Sequence, residues 1–211
     1  MPLDSIDKSG CLVVSVAPGT TQPPPYGELH CASNFTFLRG VSFPEELVET
    51  ANSLGYSAIA LTDECSLAGV VRGYVAAKSK TVKLIIGSEF TLTEESAQPQ
   101  NAVGVQTRNK GCTGIGFRIV LLATSRPGYG QLSHLITCAR REAPKGQYRI
   151  DRTMVEANLP NECLALWIPD LSRAPEAIAS QLTWLQRLFP DKLWIAVELL
   201  LRGDDRQKLR R

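Results

Sequence analysis

The fold is indicated first by one short stretch, Ser57–Glu64, which reads SAIALTDE. Its apolar centre predicts a strand buried on both faces, and the strand is followed at once by two carboxylates. Another strand is predicted at Lys83–Phe90 (KLIIGSEF), after a helical segment at Leu67–Lys78. Strand, helix and strand in this order are typical of a βα unit, so the chain is predicted to contain a largely parallel sheet.

The same alternation extends in both directions from this unit. Further strands are predicted at Tyr26–Cys31, Phe117–Thr124, Leu164–Ile168 and Leu193–Val197, and further helices at about 44–54, at Tyr129–Arg141 and around Ile178–Phe189. The pattern fits an α/β barrel or an open doubly wound sheet. Six strands are too few to close an eight-stranded barrel.

Two local predictions concern the helices. Ser42 and Glu45 stand three residues apart around Pro44, which is the pattern of a capping box at a helix start. In the helix at Leu67–Lys78, the apolar side chains of residues 71, 74 and 75 are predicted to share one side.

Composition limits the class of protein. The chain has 211 residues, of which 44% are hydrophobic and 21% charged, as in an ordinary soluble domain. Lys and Arg (23) nearly balance Asp and Glu (21), so strong phosphate binding by this chain alone is not indicated. No apolar run is long enough to span a membrane and no secretory signal is present, which predicts a cytoplasmic location. Six cysteines without a C-x-x-C pair are interpreted as reduced thiols.

Two segments are predicted to lie outside the packed domain. Residues 1–25 end in three prolines and are interpreted as a flexible leader. Residues 94–116 are rich in Gln, Asn, Thr and Gly and are interpreted as an exposed insertion. Residues 26–211, which include this insertion, are predicted to be one domain.

Potential metal ligands stand at the ends of the first three predicted strands. They are His30, Asp63, Glu64 and Glu89. Because parallel strands bring their carboxyl ends to one rim, these side chains could bind a divalent metal that polarises a phosphoryl oxygen. Position alone favours a simpler interpretation by about two to one, in which the carboxylates cap a helix or are solvated and the histidine makes one hydrogen bond at the core edge.

Several ordered motifs resemble one known family. They are Tyr26–Gly40 (YGELHCASNFTFLRG), Thr62–Gly69 (TDECSLAG), Ile86–Phe90 (IGSEF), Arg118–Ala123, Gly128–Leu132, Ala143–Gly146 and Trp194–Leu200. Together they resemble the N-terminal PHP (polymerase and histidinol phosphatase) domain of bacterial DNA polymerase III alpha-type enzymes, most closely the error-prone branch. The resemblance implies an α/β fold: a distorted, incomplete βα barrel with mostly parallel strands.

The resemblance also implies a degenerate metal site. A metal-competent PHP site has His-x-His on its first strand and Asp-His on its second, whereas this chain has Ala32 and Glu64 where the second histidine of each pair belongs. Arg118 stands where the fourth strand of such relatives offers a histidine. We therefore expect no catalytic residue here. His30, Asp63, Glu64 and Glu89 remain weak metal candidates, and little or no phosphoesterase activity is expected.

The implied function is that of the N-terminal portion of a translesion, damage-induced DNA-directed DNA polymerase, a nucleotidyltransferase of DNA repair and replication. Its Mg²⁺-dependent chemistry would belong to a palm domain further along the parent chain. This portion would then be structural and need no cofactor. Its partner would be the polymerase body of the same chain, with DNA reached through the parent enzyme and no membrane contact. The remaining strands of the barrel are expected beyond Arg211.

Two alternatives stay open. The chain could be a stand-alone phosphoesterase with a divalent metal at the four ligand candidates, or a truncated product without independent activity. A basic group formed by Arg140, Arg141, Lys145 and Arg149 could contact a nucleic-acid backbone in a larger assembly, or could be a solvated surface. Cys65 is interpreted as a structural thiol, and His134 is expected on the polar surface of its helix.

Overall fold

The computed structural model describes residues 26–94 and 116–198, together with Asp205. The predicted leader and all of the predicted insertion except its end residues, Glu94 and Gly116, lie outside the described residues. So does nearly all of the chain after Glu198.

The six predicted strands are confirmed. They are β1 (Gly27–Cys31), β2 (Ala58–Leu61), β3 (Lys83–Thr93), β4 (Gly116–Ala123), β5 (Cys163–Ile168) and β6 (Leu193–Ile195), and they are neighbours in chain order. Three of the five pairings are parallel, namely β1 with β2, β2 with β3, and β5 with β6. The strand β4 runs antiparallel to both of its neighbours, so the sheet is mixed although mostly parallel.

Five helices accompany the strands in the described part of the chain. They are α1 (Pro44–Ser53), α2 (Val70–Ala77), α3 (Arg126–Arg141), α4 (Arg152–Ala157) and α5 (Pro175–Leu188). The sequence pattern missed α4 because six residues are too few to show a helical period. Its one local signal is Asp151, whose carboxylate accepts a hydrogen bond from the backbone N–H of Met154 at 2.8 Å.

The predicted capping box at the start of α1 is displaced by one residue. Phe43, not Ser42, is the N-cap, because Pro44 occupies the first helical position. The backbone N–H of Phe43 donates to the carboxylate of Glu46 at 2.8 Å. Glu45, the residue predicted for this role, instead pairs with Arg72.

The apolar side predicted for α2 faces solvent. Val71, Tyr74 and Val75 are all exposed, whereas Val70 and Gly73 are buried. The reason is the close approach of the helix to β2: a Cβ built on Gly73 would lie 2.5 Å from a methyl carbon of Leu61. The smallest residue on the helix therefore marks its contact face, which a search for large apolar side chains does not detect.

The core lies on both faces of the sheet. On β4, Ile119 and Leu121 join the main cluster beneath α3 and α5, while Val120 and Leu122 join a second cluster on the opposite face. This two-sided burial explains why β4 is continuously apolar at its centre.

The sheet curls into a half-barrel. In a flat six-stranded sheet, five spacings of about 4.8 Å would separate the edge strands by about 24 Å. However, His30 in β1 and Glu198, three residues after β6, are in direct contact at 2.8 Å. The inner face of the sheet is therefore concave, and its two edges meet through charged side chains. No helix in the described ranges is both long and apolar enough to cross a membrane.

Candidate functional site

Three acidic and three basic side chains meet on the concave side of the sheet. We refer to them as the ionic cluster, which consists of Glu64, Glu89, Glu198, His30, Arg39 and Arg118. They come from β1, the loop after it, the residue pair after β2, the strands β3 and β4, and the segment after β6. Three of the six described strands and three segments between or after strands thus contribute to one site.

Glu89 is the centre of the ionic cluster. Its side chain is 1% exposed and accepts a hydrogen bond from His30 Nε2 at 2.7 Å. The guanidinium of Arg39 binds the same carboxylate with two nitrogens, at 2.9 and 3.0 Å. One further nitrogen, of Arg118, lies 3.8 Å from it. Contrary to the prediction, Glu89 lies within its strand and not at the end, because β3 continues to Thr93.

His30 joins two carboxylates. Its Nε2 contacts Glu89 and its Nδ1 lies 2.8 Å from Glu198. Both ring nitrogens can donate only when the ring is protonated, so the geometry fits an imidazolium. Burial alone would lower the pKa of His30, but the hydrogen bonds and charges of Glu198 and Glu89 outweigh it and raise this pKa to about 9.

The two carboxylates that hold His30 are correspondingly acidic. Burial acts to raise the pKa of Glu89, yet hydrogen bonds from His30 and Arg39 lower it to about 2. The hydrogen bond from His30 is the main cause that lowers the pKa of Glu198 to about 2, against burial and with help from Arg118. Both groups therefore stay ionised at neutral pH.

A tightly closed loop carries Arg39 to the site. The backbone N–H of Asn34 donates to the carbonyl of Ser42 at 2.9 Å, which closes the loop at its base. Gly40 packs so closely that a Cβ there would lie 1.8 Å from the carbonyl oxygen of Ser33. Leu38, beside Arg39, has a left-handed φ of 64°. The loop is thus held in one conformation, which directs the guanidinium inward.

Glu64 and Arg118 complete the ionic cluster. Glu64 accepts hydrogen bonds from Arg39 at 3.0 Å and from the hydroxyl of Tyr148 at 2.8 Å. Arg118 donates to Glu198 at 2.7 Å. With His30 protonated, three positive charges face three negative ones.

Asp63 lies beside the ionic cluster but serves the loop. It is buried and accepts three hydrogen bonds, from the backbone N–H and the hydroxyl of Ser33 and from the hydroxyl of Thr36, at 2.6 to 2.8 Å. Its carboxylate therefore anchors the first turn of the segment that carries Arg39.

Three of the four predicted ligand candidates, His30, Glu64 and Glu89, lie together in the structure. The fourth, Asp63, faces the loop that carries Arg39. Arg39, Glu198 and Tyr148 belong to the site although no site role was predicted for them from the sequence. The first two stand inside quoted motifs, so the motifs located them without revealing what they do. Tyr148 carries no sequence signal of its own.

Arg140, from the predicted basic group, is engaged in internal contacts. Its guanidinium donates to the backbone carbonyl of Cys65 at 3.0 Å and lies over the ring of Tyr148. Arg140 is nevertheless exposed, as are the other three members, Arg141, Lys145 and Arg149. Contact between this group and nucleic acid stays a prediction.

The ionic cluster does not fit a bound metal ion. Metal ligation requires free lone pairs, yet both oxygens of Glu89 already accept strong charge-assisted hydrogen bonds. Another cation in this position would also be repelled by Arg39 and Arg118. Within the described ranges, no group of three or more His, Cys, Asp or Glu side chains has an arrangement suited to a metal.

The pKa values predict a pH dependence of stability. His30 has a folded pKa of about 9, above its ordinary value of 6.5, so its stabilising contribution is complete below pH 6.5 and is lost as the pH rises toward 9. Glu89 and Glu198, with folded pKa values of about 2 against 4.5, contribute fully above pH 4.5 and lose their contribution as the pH falls toward 2. The three groups together stabilise the fold most between about pH 4.5 and 6.5.

We expect His30→Asn to abolish the loss of stability that accompanies a rise in pH from 6.5 to 9. Between pH 6.5 and 9 the unsubstituted chain should lose up to about 3 kcal/mol of unfolding free energy more than the variant. Urea unfolding across this pH range measures the difference, and His134→Asn, at the exposed histidine, is the matched control. Equal slopes for His30→Asn and the unsubstituted chain would contradict the imidazolium assignment.

Comparison with known proteins agrees with this architecture. The family model of the PHP domain matches residues 28–198. The chain belongs to the PHP domain family. The error-prone DNA polymerase of Methylococcus capsulatus is 47% identical over 184 residues, covering 87% of this chain and 15% of that protein. The error-prone DNA polymerase of Ralstonia pickettii is 46% identical over 194 residues, covering 88% and 16%.

This PHP chain thus spans about 15% of the length of these relatives. Two solved structures share its fold. An amidohydrolase from Chromobacterium violaceum has a TM-score of 0.56 at 13% identity, covering 87% of this chain and 81% of that one. A provisionally assigned metal-dependent phosphoesterase from Bifidobacterium adolescentis has a TM-score of 0.52 at 13% identity, covering 77% and 75%. The predicted family and fold class are confirmed.

Proposed function

We propose that this PHP chain is the N-terminal portion of an error-prone DNA polymerase of the polymerase III alpha family and that its role there is structural. The identity of 46–47% to two error-prone polymerases supports the parentage. In this role the domain needs no cofactor. Its parent would act on DNA in the cytoplasm and carry its Mg²⁺-dependent polymerase chemistry in another domain.

The observation that carries the structural role is the position of Arg39. Its guanidinium bridges Glu64 and Glu89, two of the four ligand candidates, at 2.9 to 3.0 Å. A metal ion would use these same oxygens to join the same strands. The arginine therefore performs the cross-linking task of a metal while offering no Lewis acid and no open coordination position, so the metal site is degenerate.

The surface of the domain supports packing against a larger body. Phe37, Leu38 and Val41, in the loop that carries Arg39, are 85 to 90% exposed. The outward side of α2 adds Val71 and Tyr74. Exposed apolar side chains of this size are typical of a covered surface in the complete protein. The polymerase body of the parent chain, which accounts for most of the length of the relatives, is the partner we assign to it.

Mn²⁺ binding and phosphoester hydrolysis test the proposal. Mn²⁺ is the suitable probe because it prefers carboxylate oxygens, which three of the four ligand candidates supply, to thiolates. We expect no stoichiometric Mn²⁺ binding in equilibrium dialysis and no hydrolysis of p-nitrophenyl phosphate. Stoichiometric Mn²⁺ binding with hydrolysis, both lost in His30→Ala and both retained in Glu49→Ala at an exposed position on α1, would establish the phosphoesterase alternative instead.

A further inference from the structure

A small group of side chains with potential metal-ligating atoms lies apart from the ionic cluster. Cys138 and His134 stand one turn apart on α3, and Asn158 follows α4 as its C-cap. The Sγ of Cys138 is 3.6 Å from His134 Nε2 and 3.8 Å from Asn158 Oδ1, and the latter two atoms are 3.1 Å apart. A thiol, an imidazole nitrogen and an amide oxygen therefore form one small triangle.

The triangle has the dimensions of one face of a zinc tetrahedron. With bonds of about 2.3 Å to sulfur, 2.05 Å to nitrogen and 2.1 Å to oxygen, tetrahedral angles place S and N about 3.5 Å apart, S and O about 3.6 Å, and N and O about 3.4 Å. The observed separations of 3.6, 3.8 and 3.1 Å each agree to within about 0.3 Å. A cation could thus bind all three atoms with little movement of the side chains.

The donors are held in place and remain accessible. The amide nitrogen of Asn158 donates to the carbonyl of Met154 at 3.0 Å, which turns its oxygen toward the other two donors. The helix α3 fixes the spacing of His134 and Cys138, because residues four apart share one face. His134 is exposed and the other two side chains are half-buried, so a cation and a water molecule can reach the site from solvent.

We propose that Cys138, His134 and Asn158 bind a borderline-soft divalent cation of the Zn²⁺ type. On binding, the Cys138 thiol releases its proton to solvent and its sulfur forms the metal bond. The proton that His134 Nε2 directs at Asn158 Oδ1 moves through solvent to Nδ1, so that Nε2 and Oδ1 each supply a lone pair to the cation. A water molecule takes the fourth position. The site shares no side chain with the ionic cluster, so its test is independent of the structural role proposed above.

Co²⁺ titration tests this site, because a cobalt–thiolate bond produces a near-ultraviolet charge-transfer band. The test uses the full 211-residue chain with Cys11 and Cys112 replaced by Ser, so that cysteines outside the described residues do not contribute. We expect one equivalent of Co²⁺ to produce the band and Zn²⁺ to displace it. Cys138→Ser should abolish the band and His134→Gln should weaken Co²⁺ binding at least about tenfold.

Two substitutions of Asn158 are expected to change Co²⁺ binding in opposite directions. Asn158→Asp replaces the amide oxygen by a stronger carboxylate ligand in the same place and should tighten Co²⁺ binding, whereas Asn158→Leu should weaken it. Cys31→Ser, at a half-buried thiol on β1, is the matched control and should leave the band unchanged. A band that survives Cys138→Ser, or no band at millimolar Co²⁺ in a folded chain, would overturn the proposal and leave the three side chains as hydrogen-bond partners only. Circular dichroism of each variant establishes that it is folded.

Discussion

Replacing Glu89 by Gln is expected to lower the unfolding free energy by about 3–5 kcal/mol, one of the two largest effects we expect from single substitutions in this chain. The carboxylate is 1% exposed and is bound by both His30 and Arg39. Without its negative charge, these two cations and the nearby Arg118 face one another with only Glu64 and Glu198 to balance them. Removing one member of a buried charge network leaves the others desolvated and uncompensated, which is the origin of the large cost.

Urea unfolding at pH 6 measures this effect, because His30, Glu89 and Glu198 are all charged at that pH. Glu49→Gln is the matched control: it removes the same charge from an exposed position on α1 and should change the unfolding free energy by less than about 0.5 kcal/mol. A loss below about 1 kcal/mol for Glu89→Gln would show that the ionic cluster is not what holds the strands β1, β3 and β4 together.

Asp63→Ala is expected to have the other large effect, a loss of about 3–5 kcal/mol. This substitution leaves three buried donors, on Ser33 and Thr36, without the acceptor they share. Hydrogen bonds to a charged acceptor contribute about 1.5–3 kcal/mol each, and the three together are less than additive because they share one carboxylate. The loop that carries Arg39 would lose its anchor at the same time.

A double-mutant cycle separates this anchoring role from any other. In a chain where Ser33→Ala and Thr36→Val have already removed the two hydroxyl donors, Asp63→Ala should cost much less than in the unsubstituted chain, since most of its partners are gone. The free energies of unfolding of the four chains provide the measurement. An equal cost in both backgrounds would indicate that Asp63 stabilises the fold through something other than the loop.

Both expected effects are on stability, which is what the proposed structural role requires. In a metal-dependent phosphoesterase, Glu89 and Asp63 would be ligands whose loss removes metal binding and activity together. In this chain the same positions serve a network of guanidinium, imidazolium and hydroxyl donors. The cluster also joins the two edges of the curled sheet, through the contact of His30 with Glu198. Its removal should therefore loosen the half-barrel as a whole.

Local pattern was sufficient for the architecture and for part of the site. The apolar run Ile59–Leu61 is buried as its composition predicted, because a strand with apolar side chains on both sides is stable only where both faces are covered. The convergence of His30, Glu64 and Glu89 also followed from strand order alone. Adjacent strands bring successive segments to one rim whatever the details of the loops.

What the pattern could not supply depends on atoms far apart in the chain. Nothing near Arg39 shows that its side chain turns inward, since this depends on the approach of Gly40 to Ser33 and on carboxylates from 25 to 50 residues away. Likewise, the contact of Gly73 with Leu61 determines which face of α2 is buried and which is exposed. Sequence periodicity records which residues can be buried, whereas the choice among neighbouring faces, and the pairing of opposite charges across a curled sheet, are made only when the strands close on one another.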